Sequence, residues 1–508
     1  MAVSASYFLN IDWNGDGGYG DTDEDVTSDL MSANIQRGFT GPMALVGTVA
    51  RCTLVLRNND KQYSPPVTSC AVPRRKARFY MEYNGASAVL FEGYLDRIAP
   101  VPGQYRAQKA VIECVDAMSI LDNADGAVAA STHIYPHNLI DSVVSHTYTP
   151  ASTCYEPGIN PIPVSCDLWS NPETLRLYAT PKEEVRASDK IMDACKADWG
   201  RFFIDREGRP TFINRHHIVL DNTTALTLDD DMVEMGYHDF AGDVYNRVEI
   251  TCHPRTVGEV YEVLAETIYD EGDKLKSSAS KLINLPFKDP TNIAKEIGGR
   301  DLQTPIPGSD YIVTNDEGGE GDDVSTCVTL ALSYFGNRAD VKLTNTSTST
   351  LFLQSVKLRG IAIRTRDPHT AISESASSIS SYLKRTLPLD IPLMSRPGDA
   401  QLLADYLIQR YKDPHHNIYN LLIDANSSST LMEATRDLEL HHRIEVSETQ
   451  TGLSSWAGYI YHITHEIHGE RNHRVRLAVH PRRSYAASPF RIGTSVISSS
   501  GGPDVLIY

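Results

Sequence analysis

The chain has 508 residues, of which 41% are apolar and 22% charged, and its 47 Lys and Arg against 65 Asp and Glu give a formal net charge of −18. This length is several times that of a typical domain of about 150 residues, so we expect three or four domains, and the composition excludes a wholly disordered or fibrous protein. The acidic balance, with no run rich in Lys and Arg, argues against a surface that binds nucleic acid tightly.

The sequence shows no sign of export or of a membrane span. No apolar stretch reaches the roughly 18 residues that a transmembrane helix needs, and the first 13 residues lack the basic and apolar regions of a secretion signal. The eight cysteines include no Cys-x-x-Cys pair, which argues against a zinc ribbon or a redox motif. We expect reduced thiols, as in a cytosol, with Cys154 and Cys166 as a candidate disulfide.

The first 120 residues contain short β-type runs separated by Pro and Gly, a pattern typical of an antiparallel sheet or barrel. These runs lie at residues 7–13, 48–57, 77–83, 89–98 and 110–115.

Residues 121–235 have a mixed pattern. A short helix is predicted at 139–145, followed by a clearer helix that Ser188 or Asp189 caps and that Gly200 ends in a left-handed conformation. A β-hairpin is predicted after this helix, with strands at 201–205 and 209–214.

A third region begins with a β run at 246–250 and continues through a stretch rich in Ser, Gly and Asp. Strands are predicted at 324–335 and 351–363, and the acidic segment 316–323 is typical of a solvated loop.

The last region is predicted to hold a helix at 399–412, followed by strands and by a Ser- and Gly-rich arm from residue 484. The predicted apolar stripe of the helix comprises Leu402, Leu403, Tyr406, Leu407 and Tyr411. The predicted strands lie at 418–423, 443–447, 456–467 and 474–480.

The best candidate for a metal site lies near the N-terminus. Asp12, Asn14 and Asp16 have the spacing of oxygen ligands in a calcium loop, and Asp23 occupies the twelfth position, where a bidentate Glu is usual. The alternative is an ordinary turn, because Asp, Asn and Gly are common in long β connections.

Other motifs are disfavoured. Residues 15–20 match G-x-G-x-x-G, but the acidic residues that follow would repel a pyrophosphate, so we expect no nucleotide cofactor. His462 and His468 share one face of a predicted strand at roughly 20 Å, with His465 on the other face, so the three cannot bind one metal. No nucleophile motif or His-Glu-x-x-His motif is present, so no catalytic residue is assigned and a non-enzymatic protein is expected.

Four fragments, in this order, resemble the hub proteins of bacteriophage tail tips and baseplates. They are IDWNGDG at 11–17 with VTSDL at 26–30 and QRG at 36–38; TLVLRNND at 53–60 with YSP at 63–65 and LFEGYLDRI at 90–98; WGRFFIDREG at 199–208; and YIYHITHEI at 459–467 with residues 474–481. His441 and His442 stand where such proteins often have Gly-Asp, and residues 256–323 have no counterpart in the resemblance.

The resemblance implies a mainly β, multidomain fold with α+β elements: two tube-like β-barrel domains and smaller mixed α+β domains. The implied ranges are 1–122 for the first barrel, 123–235 for a small α+β domain, 236–370 for the second barrel, completed or not by later strands, 371–483 for a C-terminal α+β domain and 484–508 for an extended arm.

The resemblance also implies a structural virion protein, made in the bacterial cytoplasm and located at the tail tip. It would be a homotrimeric hub that closes the tail tube, with a channel for genome ejection. The implied partners are a tail tube or distal tail protein, a tape measure protein, and fibre or spike proteins used in host attachment. Phage DNA would pass transiently through the lumen, which we expect the acidic segments 21–25 or 316–323 to line.

Two other functions remain open from the sequence. A tail-associated hydrolase of cell-envelope polymers would need a cleft with two suitably separated carboxylates. A calcium-dependent adhesin that binds glycans would need a metal in the loop from Asp12 to Asp23.

Overall fold

A computed structural model describes residues 3–67, 71–102, 108–124, 126, 131–134, 136–147, 165–166, 177–179, 186–215, 223–239, 244–481, 488–489 and 504–505. Strands far outnumber helices, which confirms the mainly β fold with α+β elements. The candidate bridge between Cys154 and Cys166 lies outside the described residues, as does the C-terminal arm apart from two two-residue strands.

The N-terminal body is an antiparallel sheet whose alternating apolar side chains face one core. Along β3, for example, Cys52, Leu54 and Leu56 point inward. The long β5 pairs with β4 through its first half and with β6 through its second half, so the sheet curls around that core. The strands are β1 Ser6–Ile11, β2 Leu30–Gly38, β3 Arg51–Arg57, β4 Lys76–Tyr83, β5 Ala86–Val101 and β6 Lys109–Val115.

The next region contains the predicted helix and hairpin. Its elements are α1 Met118–Leu121, β7 Ser131–Ile134, α2 Pro136–Thr147, β8 Ser165–Cys166, β9 Leu177–Ala179, α3 Ala187–Asp198, β10 Arg201–Ile204, β11 Pro210–Ile213, β12 Thr224–Asp229 and β13 Glu234–Asp239.

The ends of α3 differ from the prediction. Neither Ser188 nor Asp189 is the N-cap, because the helix already begins at Ala187, and Arg186 precedes it without a side-chain cap. The left-handed residue is Trp199, with φ of 58°, and not Gly200. Gly200 serves close packing instead, since a Cβ there would lie 2.6 Å from the Phe212 ring.

The third region forms a body with its own core, enclosed by two sheets. One sheet has the order β15-β23-β19 with β20 also on β23, and the other has the order β16-β22-β21. The strands of this region are β14 Arg247–Cys252, β15 Arg255–Leu275, β16 Ser280–Pro286, β17 Lys288–Asp289, β18 Asn292–Glu296, β19 Gly298–Arg300, β20 Tyr311–Thr314, β21 Val328–Tyr334, β22 Arg338–Asn345 and β23 Leu351–Thr365. We call residues 255–365 the central body.

The last region contains the predicted helix and strands together with two helices that were not predicted, at residues 376–382 and 429–437. Its elements are β24 His369–Glu374, α4 Ala376–Tyr382, β25 Thr386–Ile391, α5 Pro397–Tyr411, β26 His416–Asp424, α6 Ser429–Asp437, β27 Arg443–Glu448, β28 Leu453–Ile467, β29 His473–Pro481, β30 Ser488–Pro489 and β31 Asp504–Val505. Leu402 is not part of the buried stripe of α5, because its side chain is 52% exposed.

A mixed α+β core lies between the β bodies. The sheet β24-β14-β25 packs against α5, and the buried side chains of α2, α3 and β10 belong to the same apolar cluster. This cluster therefore joins residues from the second, third and fourth regions of the chain.

One continuous sheet contains strands from the first 115 residues and strands from residues 224–481. The N-terminal strands run in the order β1-β4-β5-β6-β3-β2, and β2 then pairs antiparallel with β28, which continues into β29, β26 and β13. With β27 and β12, these later strands surround a separate apolar core. We call this second unit the C-terminal β body. The five domain ranges given above remain predictions, and this pairing crosses several of them.

Gly38 lies at the junction between β2 and β28, with φ of 140°. A Cβ at this position would lie 2.6 Å from His462 Cα and closer still to the Tyr461 carbonyl oxygen. We therefore expect Gly38→Ala to lower the free energy of unfolding by about 1–3 kcal/mol, because both the backbone conformation and the close approach would be lost. The midpoint of urea denaturation measures this effect. Gly41→Ala is the control, because nothing lies within 4 Å of a Cβ there, and equal effects of the two variants would contradict the prediction.

Candidate functional site

The acidic loop between β1 and β2 folds back on the edge of the sheet. The Ile11 amide donates to the Glu24 carbonyl at 2.9 Å, and the Val26 amide donates to the Leu9 carbonyl at 3.0 Å. Asn10 and Asp25 form an antiparallel bridge. Residues 24–26 therefore cover the free edge of β1, and the loop from Asp12 to Glu24 closes on itself.

Asp12 organises the first half of this loop. Its side chain is buried, and its two carboxylate oxygens accept hydrogen bonds from the Gly15 amide at 2.5 Å and the Gly17 amide at 2.9 Å. Both glycines have a positive φ, 81° and 84°, which glycine adopts without strain. The sequence Asp-x-x-Gly-x-Gly thus wraps the backbone around one carboxylate.

The structure brings together Asp12 and Asp16, two of the predicted metal ligands, and adds Glu24, which was not predicted. Carboxylate oxygens of Asp12, Asp16 and Glu24 all lie within 4.8 Å of one another. Asp23 is exposed and is not part of this group. The Asn14 side chain instead braces the loop: its oxygen accepts from the Asp16 amide at 2.8 Å, and its nitrogen donates to the Asp21 carboxylate at 2.6 Å.

Glu24 is the most unusual member of the group, because its side chain is only 1% exposed. One carboxylate oxygen, Oε2, accepts from the Asp21 amide at 2.9 Å, whereas Oε1 is buried without a hydrogen-bond partner. Burial raises the pKa of Glu24, and the nearby charges of Asp21, Asp12 and Asp16 raise it further, against the Asp21 hydrogen bond that lowers it. A bound cation would offset both the cost of burying the Glu24 carboxylate and its repulsion by the neighbouring carboxylates.

Two of the three histidines near the C-terminus lie on opposite faces of β28, as predicted: His465 is buried, and His462 is half-buried on the other face. His468 is exposed beyond the end of the strand, so it shares no face of β28 with His462. The partner of His465 was not predicted from the sequence. Its Nδ1 lies 3.0 Å from Nε2 of His473 in β29, and Nδ1 of His473 lies 2.9 Å from the Tyr7 hydroxyl in β1. We call these three residues the buried histidine chain.

The central body exposes several large apolar side chains. Ile268 of β15 is 68% exposed and Ile312 of β20 is 37% exposed. Both pair with Ser355 of β23, so they lie on the same outer face on either side of a small residue. Other exposed apolar side chains of this body are Val260, Tyr261, Leu282, Ile293, Ile306 and Tyr334. We call the outer face around Ile268 and Ile312 the apolar face.

The second acidic segment, 316–323, is an exposed loop of the same body. The Ser325 hydroxyl and, with a smaller effect, the Ser325 amide at 2.9 Å donate hydrogen bonds to the Asp323 carboxylate. Both hydrogen bonds lower the pKa of Asp323. The segment therefore presents negative charge at the protein surface. Whether it or residues 21–25 face a lumen stays a prediction.

No family model matches the sequence, and no curated protein matches it. Solved structures with a similar arrangement include a tail protein from Neisseria meningitidis (6% identity, 94% of this chain and 96% of that chain covered, TM-score 0.48). The 43 kDa tail protein of prophage MuSo2 from Shewanella oneidensis is also similar (10% identity, 94% and 98% covered, TM-score 0.43). A third is the c3393 protein of E. coli, a type VI secretion component described as similar to T4 tail proteins (8% identity, 94% and 78% covered, TM-score 0.38).

Among the described residues, no helix is long and apolar enough to span a membrane.

Proposed function

We propose that the chain is a structural protein of a phage tail, a homotrimeric hub that closes the tail tube at the tip and connects it to tip proteins. The observation that carries this proposal is the apolar face of the central body. Isolated apolar side chains on a surface are ordinary, but Ile268 and Ile312 share one face in register on three paired strands. Such a face is suited to burial against a sister copy.

The two β bodies support a tube-like role. The N-terminal body and the C-terminal β body share one sheet through β2 and β28, so each chain presents two linked antiparallel β units. Three copies would present six such units, the number needed to meet a tube of sixfold symmetry. In this proposal the second tube-like unit is the C-terminal β body and not the predicted range 236–370.

The charge of the chain supports a channel for DNA. A net charge of −18 per chain would become three times larger in a trimer, and acidic residues along a lumen would repel phosphate and prevent adhesion of the genome. The expected partners are the tail tube or a distal tail protein above, the tape measure protein within, and fibre or spike proteins below.

Replacing Ile268 by lysine is expected to weaken trimer formation by about tenfold or more, because a charge would have to be buried at the interface. Mass photometry of the wild type should give a mass three times the 56.2 kDa of one chain. Leu402→Lys is the control, since Leu402 is similarly exposed but lies on α5, outside the apolar face. A wild type that stays monomeric at every concentration, or equal effects of the two variants, would contradict the proposal.

A further inference from the structure

We propose that Asp12, Asp16 and Glu24 bind a calcium ion, which fixes the acidic loop against the edge of β1. This inference does not depend on the proposed role in a phage tail. It retains Asp12 and Asp16 from the sequence motif, and it replaces Asp23 with Glu24.

The distances fit calcium. Calcium binds oxygen at 2.3–2.6 Å, so two ligands on opposite sides of the ion are separated by about 4.6–5.2 Å and neighbouring ligands by less. The three carboxylates lie within 4.8 Å of one another, inside this limit. Magnesium binds oxygen at about 2.0–2.1 Å and demands a near-ideal octahedron. Calcium also tolerates the irregular coordination that a loop of this kind provides.

A second observation points to a ligand independently of the acidic cluster. Oε1 of Glu24 is buried and has no hydrogen-bond partner. Burying a carboxylate oxygen without a partner is costly, so such an atom usually marks a missing partner. Oε2 already accepts a backbone hydrogen bond, which fixes the orientation of the side chain and leaves Oε1 for an ion.

The cationic side chains nearby do not neutralise the site. In the described part of the chain, neither Lys nor Arg forms an ion pair with Asp12, Asp16 or Glu24. Arg78 pairs with Glu92 and lies over the Tyr19 ring, while the Arg75 guanidinium packs against Gly15. The cluster thus keeps a negative charge that a divalent cation can balance.

Binding would join the two ends of the loop. Asp12 and Asp16 lie in its first turn, and Glu24 lies in the segment whose backbone pairs with β1. An ion shared by these residues would therefore hold the loop across the sheet edge, and water molecules would complete its coordination.

Titration calorimetry with calcium chloride on the full-length chain, freed of metal by a chelator, tests the site. One calcium per chain is expected for the wild type. Glu24→Gln keeps the shape of the side chain and should weaken binding at least tenfold. Asp23→Asn is the matched control, because it removes the same charge from the exposed neighbour, and its affinity should stay within about twofold. Absence of calcium binding, or an equal loss in both variants, would overturn the proposal.

Thermal unfolding separates a lost ligand from a lost fold. In chelator, Glu24→Gln should unfold at the temperature of the wild type or above it, because the variant removes a buried charge without a partner. In calcium, only the wild type and Asp23→Asn should gain stability, and magnesium at the same concentration should raise their unfolding temperature less. If Glu24→Gln is less stable under both conditions, Glu24 has a structural role only and the proposal fails. An equal effect of magnesium would also overturn the assignment to calcium.

Terbium offers a direct spectroscopic readout, because Trp13 is adjacent to Asp12 in the chain and can transfer excitation to a bound lanthanide. Terbium emission excited through tryptophan should appear with the wild type and fall when calcium is added. Emission that persists in Glu24→Gln at the same terbium concentration would contradict the assignment of Glu24 as a ligand.

Discussion

Replacing Glu439 by alanine is expected to lower the free energy of unfolding by about 3–5 kcal/mol, because it would leave Arg37 buried without its counter-ion. Arg37 is only 2% exposed, and its Nη2 lies 2.9 Å from Oε1 of Glu439. The pair joins β2 of the N-terminal body to the segment between α6 and β27. The Arg37 residue of the Gln-Arg-Gly fragment thus has a structural function at the junction of the two β bodies.

Glu439 also holds two backbone groups. Its carboxylate accepts from the Arg206 amide at 2.9 Å and from the Leu440 amide at 2.7 Å. Burial alone would raise the pKa of Glu439, but the Arg37 charge and these hydrogen bonds outweigh it and hold the pKa below its usual value. The stability that Glu439 contributes is therefore present above its unfolded pKa and is lost as the pH falls through its folded pKa.

Urea denaturation at neutral pH measures the effect of Glu439→Ala. The control is Glu113→Ala, which breaks the solvent-screened pair of Glu113 and Arg97 and should lower the stability far less. Similar losses of unfolding free energy in the two variants would contradict the prediction that the buried pair of Arg37 and Glu439 contributes more stability than the solvent-screened pair.

The buried histidine chain is expected to make the stability of the protein depend on pH. Burial lowers the pKa of His473 to about 3 and, with the charge of His473 adding to it, lowers the pKa of His465 well below its usual value. The unfolded chain therefore binds more protons than the folded chain below about pH 6.5, and stability falls as the pH falls. For His473 alone, the loss between pH 7.5 and pH 4.5 should be about 2–3 kcal/mol.

The comparison with His473→Gln isolates this contribution. Burial raises the pKa of Asp116 to about 7 and that of Asp198 to about 6, and these two groups favour the folded state at acid pH, which opposes the histidines. Their contribution is the same in both proteins and cancels in the difference. Glutamine can still accept from Tyr7 and donate to His465.

The urea midpoint of wild type and variant between pH 4.5 and 7.5 gives the required curves. The wild type should lose more stability on acidification than His473→Gln. Parallel curves would contradict the prediction that His473 is neutral in the folded chain.

Regular elements with periodic apolar residues could be predicted from the sequence. Five of the six strands of the N-terminal body, α3 with its following hairpin, and the strands after α5 lie close to their predicted positions, whereas β2 was not predicted. The 21-residue strand β15 was not predicted, because three irregularities in its pairing with β23 interrupt the alternation of apolar residues. The helix α6 was also missed, although Ser428 caps it with a hydrogen bond to the Leu431 amide at 3.2 Å.

The candidate metal site could be predicted only in part. The spacing of Asp12 and Asp16 is local, and it indicated two carboxylates that the structure brings together. Glu24 could not be chosen over Asp23 from spacing, because the choice depends on how residues 24–26 pair with β1. The structure shows a strand-like alternation of exposed Asp23, buried Glu24 and exposed Asp25, but three consecutive acidic residues give no such alternation in the sequence.

The pairing of distant segments could not be predicted at all. Nothing local in β2 indicates that it lies beside β28, more than 400 residues later, or that Tyr7 reaches His473.

Electron cryomicroscopy of intact particles tests the central claim most directly, by locating this chain in the density of the tail. The proposal predicts three copies around the tail axis at the tip, with the N-terminal and C-terminal β bodies alternating in a ring beneath the tube and with Ile268 buried between copies. Particles without this chain at the tip, or with the chain present as separate copies away from the axis, would contradict it.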